Sequence, residues 1–126
     1  RAADEGTRIG TVRRPPRGVP KADFARQNWY DVWYPNLSPS PELMKLALST
    51  HAEPDSPQSQ KDWARFVREF RHQMAEPDAA RSLDVLAALS HGANFSVGCY
   101  CESEARCHRS VLRALLAERG ADVADS

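Results

Sequence analysis

Apolar residues along the chain fall into two kinds of pattern. Trp63, Phe66, Val67, Phe70 and Met74 recur at helical spacing, with Lys61, Arg65, Arg68, Glu69 and Arg71 on the other faces, and this predicts the longest helix. Leu83, Leu86, Ala87 and Leu89 form the stripe of a second helix. Pro77 precedes it, Asp78 is its expected N-cap, and Gly92 is its expected C′ residue after His91. Val111, Leu112, Leu115 and Leu116 make a last helix ending at Gly120. Leu43, Leu46 and Ala47 make a short one that runs to about Ser49, started by Ser40 as N-cap, Pro41 at the first helical position and Glu42 at the positive end of the dipole. His51 to Ser59, with prolines, serines and acids, reads as an exposed loop.

Strand-like runs are short. Arg8 to Arg13 alternates and carries β-branched residues, and the prolines at 15 and 16 stop it because proline supplies no ladder donor. Trp29 to Tyr34 is dense in aromatic residues and suits a second strand, although Trp29 can also belong to a short helix begun at Asp23. Phe95 to Cys101 is the third. Strands separated by helices predict an α/β fold: a small single domain over 8–120, three-layer, with a short mostly parallel sheet flanked by about four helices. Residues 1–7 are expected to be a flexible N-terminus and 121–126 a tail.

Composition narrows the classes. The 126 residues suffice for one core, and 27% are charged with a formal net charge of zero, so the molecule as a whole has no bulk attraction for nucleic acid or an anionic membrane. No apolar run has the length of a membrane span, and Arg1 to Gly6 has no apolar segment of the signal-peptide kind. Between Arg8 and Arg26, however, six basic residues (Arg8, Arg13, Arg14, Arg17, Lys21, Arg26) face one acid, Asp23. That local excess is either a solvated loop or a seat for phosphate or another anion. All three cysteines lie within nine positions, which favours a local site in a reducing compartment, the cytoplasm, over structural disulfides.

Asn94 to Arg109 holds those cysteines and passes from an apolar strand into a helix start. In a parallel sheet such junctions sit where ligands bind. The ends of the first and third strands are expected on one edge, so that the Arg13–Arg17 loop faces the Cys101–Arg109 loop across a cleft. Three readings follow. Cys101 or Cys107 is a nucleophilic or redox thiolate activated by the helix terminus, His108, Arg106 and Arg109, with Arg13, Arg17 and Arg109 binding the anionic part of a small molecule or nucleotide. Or Cys99, Cys101, Cys107 and His108 hold zinc or iron. Or the cysteines are small buried hydrophobes and Arg109 pairs with Glu102 or Glu104. A nucleic-acid module using the basic stretch with Trp29, Trp33 and Tyr34 is a further class, although aromatic residues are more often core. His72 and His91 read as surface or helix-end histidines. No cofactor is specified.

The set Ile9-Gly10-x-Val12-Arg13-x-Pro15-Pro16-Arg17-Gly18, Tyr30-Asp31-Val32-Trp33-x-Pro35-x-Leu37-x-Pro39-Ser40, Trp63-x-x-Phe66 and Cys101-Glu102-x4-Cys107-His108-Arg109 resembles the domain-of-unknown-function 488 family, which includes the YeaO-like proteins. The resemblance covers roughly residues 8 to 118. It implies a small α/β domain without an assigned reaction, whose pattern falls on Arg13, Cys101, Glu102, Cys107, His108 and Arg109, with anion binding as the common denominator. Cys99 lies outside that pattern.

Overall fold

The structure is a computed structural model that describes residues 6–14, 18–23, 30–98 and 106–123. Among these, strands β1 (Thr7–Gly10), β2 (Val32–Trp33) and β3 (Phe95–Gly98) form one parallel sheet in the order β2-β1-β3. Four helices accompany it: α1 (Pro41–Ser49), α2 (Pro57–Met74), α3 (Pro77–Leu89) and α4 (His108–Glu118). Short 3₁₀ turns lie at Lys21–Asp23 and Pro35–Leu37. This is the α/β domain that the alternation of strand and helix patterns predicts.

The main core is made between helices. Phe66, Phe70 and Met74 of α2 pack with Leu83 and Ala87 of α3, Val111, Leu112, Leu115 and Leu116 of α4, Ala47 of α1 and Leu37. Trp63, Phe66 and Phe70 stack in series at 4.9 and 5.5 Å between ring centroids. Each fully buried large side chain contributes about 1.5–3 kcal/mol. No strand residue belongs to this cluster; Val12 and Tyr30 pack separately with Val19. Strand β2 is exposed and β3 half-buried, unlike the fully covered strands usual in parallel sheets.

Several boundaries differ from the expectation, each for a local reason. The predicted loop His51–Ser59 ends early because Ser56 accepts the Ser59 N–H and Pro57 occupies the first helical position, repeating the device at Ser40 and Pro41. In α3 the N-cap is Glu76, without a side-chain cap bond, so Asp78 lies in the first turn instead of capping it. Gly92 is not a left-handed C′ residue: the helix closes on Ser90, and tight turns bring His91 N to Ala88 O and Gly92 N to Leu89 O. Leu89 is 52% exposed, off the stripe to which its spacing assigned it.

At the end of α4 Gly120 meets its expectation. It adopts φ +84° and closes α4 by a Schellman pair, Gly120 N to Ala117 O and Ala121 N to Leu116 O. Strand β1 is shorter than Arg8–Arg13, yet its edge contacts continue: Thr11 N donates to Gly98 O at 2.8 Å and Trp33 Nε1 donates to Val12 O at 2.9 Å. The third strand is described as far as Gly98, and its expected remainder to Cys101 lies outside the described residues, as does Trp29.

Candidate functional site

With β1 central, the chain leaves it toward β2 on one side and returns to β3 on the other. The strand order therefore reverses between β1 and β3, and the crevice at the carboxyl ends of two such strands is where open α/β sheets bind ligands. Thr11 immediately follows β1, and His108 opens α4 after β3. Although 97 positions apart, they touch: His108 Nε2 lies 2.7 Å from Thr11 O and 3.0 Å from Thr11 Oγ1. Thr11 Oγ1 in turn donates to Gly98 O at 3.0 Å, so one threonine ties both strand ends to the helix start. The expected convergence of the first and third strand ends is present at these residues.

His108 and Cys107 are each 1% exposed. The imidazole meets the Phe70 ring edge-on at 5.9 Å, which fixes its plane against α2. Cys107 stands in the N-cap position of α4 with extended backbone, but its sulfur caps nothing; Sγ lies 3.7 Å from His108 Nδ1. The cap turn is closed by Ser110, whose N–H and hydroxyl both donate to Cys107 O. Upstream, Arg106 fastens this segment to the α1–α2 connection: Nη2 donates to Pro54 O at 2.7 Å, the guanidinium lies 5.5 Å over the Trp63 ring, and His51 Nε2 donates to Arg106 O at 2.8 Å. The cation–ring contact contributes about 0.5–1 kcal/mol. Arg106 thus fastens the start of α4 to the α1–α2 connection.

Arg13 lies two residues beyond Thr11 and is exposed. Its Nη2 donates to Ser38 O at 3.3 Å and Pro39 O at 3.0 Å. Gln73 of α2 clamps the same turn from behind, donating to Ser38 O at 3.0 Å and accepting the Ser40 N–H at 3.1 Å. The Leu-x-Pro-Ser turn is therefore the bracket that orients Arg13, with Nη1 and Nε making no hydrogen bond to the described residues. Arg109 is half-buried in the first turn of α4. Arg17, Cys99, Cys101, Glu102 and Glu104 lie outside the described residues.

The other expectations sort by geometry. Tyr34 packs against the main core with its hydroxyl on Ser82, and the Trp33 indole N–H is engaged by Val12 O, so neither ring is held for stacking by a basic neighbour among the described residues. No group of three or more histidine, cysteine, aspartate or glutamate side chains among the described residues is placed to hold a metal ion. His72 is exposed, and His91 is a helix-end histidine whose Nε2 donates to Gly120 O at 2.8 Å. No helix is long and apolar enough to cross a membrane among the described residues. Nothing in the sequence marks Thr11 or Gln73 for a role at the site. Threonine in a strand and glutamine in a helix are ordinary there, and only the approach of distant segments gives them a role.

No curated protein and no solved structure matches the chain. A family model does, over residues 1–120: DUF488-N3a, described as the active DUF488-N3 subclade. That match takes in the early arginine, the Leu-x-Pro-Ser bracket and the Cys-His-Arg helix start together, and the chain belongs to the DUF488 family.

Proposed function

We propose that the crevice at the carboxyl ends of β1 and β3 binds an anionic small molecule, phosphate-bearing or nucleotide-like, and that the protein is a cytoplasmic enzyme using thiol chemistry there. Arg13, Arg17, Arg109 and Glu102 are assigned to the ligand, and Cys107, His108 and Cys101 are the reactive groups. The observation that supports this reading is the strand-order reversal between β1 and β3, where Thr11 at the end of β1 meets His108 and, through it, Cys107. Arg13 adds a guanidinium already oriented by two carbonyls, so little side-chain entropy is lost when an anion is bound. The subclade's description as active agrees with catalysis.

Calorimetric titration with inorganic phosphate and a nucleoside monophosphate at low salt tests the reading. A hydrogen bond to a charged group contributes about 1.5–3 kcal/mol, so Arg13→Ala is expected to weaken binding roughly tenfold or more, with Arg13→Lys in between. No binding by the native chain, or affinity unchanged in both Arg13→Ala and Arg109→Ala, overturns it.

A further inference from the structure

The geometry points to Nδ1 of His108 as the base for the Cys107 thiol, with Thr11 as the positioning residue that commits the ring to that role. This deepens the thiol reading above and rests on it. A carbonyl oxygen can only accept, and Thr11 O lies 2.7 Å from His108 Nε2, so Nε2 carries a hydrogen. The Thr11 hydroxyl, at 3.0 Å, cannot take over as donor to that nitrogen, because its own proton is directed to Gly98 O. The neutral ring is therefore the Nε2–H tautomer, and its lone pair is on Nδ1, which faces Cys107 Sγ at 3.7 Å.

Proton transfer across that contact needs no rearrangement. The S–H bond breaks, an N–H bond forms at Nδ1, and the resulting imidazolium still donates through Nε2 to Thr11 O while Nδ1–H donates to the thiolate. Both protonation states keep their hydrogen bonds at a position where an unpaired buried charge would be costly. Among the described residues, the groups shown in contact with the imidazole are Thr11 at the end of β1, Phe70 from α2, and Cys107, and of these only the thiol titrates. Nucleophile, base and orienting group thus stand in the order that activated nucleophiles require. The sequence leaves Cys101 and Cys107 open as the thiol; the contact with Nδ1 supplies a base for Cys107, and Thr11 joins the set from the far end of the chain.

The test uses the full chain carrying Cys99→Ser and Cys101→Ser, so that Cys107 alone reacts. With methyl methanethiosulfonate, the Cys107 thiolate attacks the sulfenyl sulfur, an S–S bond forms, methanesulfinate leaves, and the thiol proton remains on Nδ1. Nitrogen NMR of the His108 ring is expected to show a protonated Nε2 and an unprotonated Nδ1. His108→Gln places an amide N–H toward Thr11 O but removes the base. It is expected to unfold cooperatively like its parent yet react roughly tenfold or more slowly at pH 7, with a rate that rises only above about pH 8 as for an ordinary thiol.

Thr11→Val keeps the carbonyl and with it the Nε2–H tautomer, but loses the hydroxyl that ties the ring to Gly98 O; it is expected to react more slowly and to shift the pH profile toward that of an ordinary thiol, with Thr11→Ser restoring both. A protonated Nδ1 in the neutral parent ring, no reaction of the parent at any pH, or an unchanged pH profile in His108→Gln overturns the assignment of the base. An unaltered rate and pH profile in Thr11→Val overturn the role of the Thr11 hydroxyl. Phosphate titration requires no thiol, so the anion reading and this one fail separately.

Discussion

Gly10 and Gly98 are register partners in the ladder between β1 and β3, which makes them a matched pair for testing how the site is packed. A Cβ built on Gly10 falls 2.5 Å from Tyr30 Cγ and 2.7 Å from Cε1, and closer still to Cδ1. Carbon contacts are comfortable at about 3.5–4.0 Å, so the ring must retreat by roughly an ångström. Tyr30 is only 3% exposed and packs on Val12, so it has little room to do so. Overpacking of this kind costs about 1–3 kcal/mol. At Gly98 the nearest atoms to a built Cβ are Ile9 O at 3.9 Å and Arg8 Cγ at 4.0 Å, ordinary contacts. Neither glycine has a positive φ, so alanine is free of backbone strain at both. Gly98→Ala should stabilise by about 0.4–1 kcal/mol through the unfolded chain's lost entropy. The two variants should therefore differ by about 1.4–4 kcal/mol, a large share of a domain stability of about 5–15 kcal/mol. Urea denaturation followed by tryptophan fluorescence reads the difference as separated midpoints at similar slope. Coincident midpoints, or Gly98→Ala as the weaker protein, would refute the packing of Tyr30 on β1 described above.

Two further outcomes follow from the helix ends and the surface. Ser40→Ala removes the acceptor of the Leu43 N–H and should cost about 0.5–2 kcal/mol in thermal or denaturant unfolding; no loss would mean that the proline at the first helical position suffices to start α1. Glu118 is held below the usual carboxylate range by the hydrogen bonds from Arg71, at 3.1 and 2.6 Å, so its contribution is present above the unfolded value of about 4.3 and fades as pH falls through the lower folded value. In an NMR titration, Arg71→Ala should return Glu118 to the ordinary range. Because the pair is exposed, the same variant should hardly move the unfolding midpoint at neutral pH; an unshifted Glu118 would show that Arg71 is not its cause.

Much of the fold was written locally. Period and caps fix α1, α2 and α4, because each helix needs only its own apolar stripe and a Ser-Pro or Gly signal at its ends, and these act within a turn or two of chain. The alternation of strands with helices likewise implied parallel pairing, since parallel neighbours need a long crossover. The sequence also marked Arg13, Cys107, His108 and the Leu-x-Pro-Ser turn as unusual, without saying why. Tertiary structure decided the rest. Strand order is a choice among long-range pairings that no local signal encodes, and the order β2-β1-β3 is what puts the end of β1 against the start of α4. Thr11 became a ring-orienting residue, Arg106 a fastener and Leu89 a surface residue through neighbours dozens of positions away, because hydrogen bonding and burial belong to pairs of segments and not to either one alone.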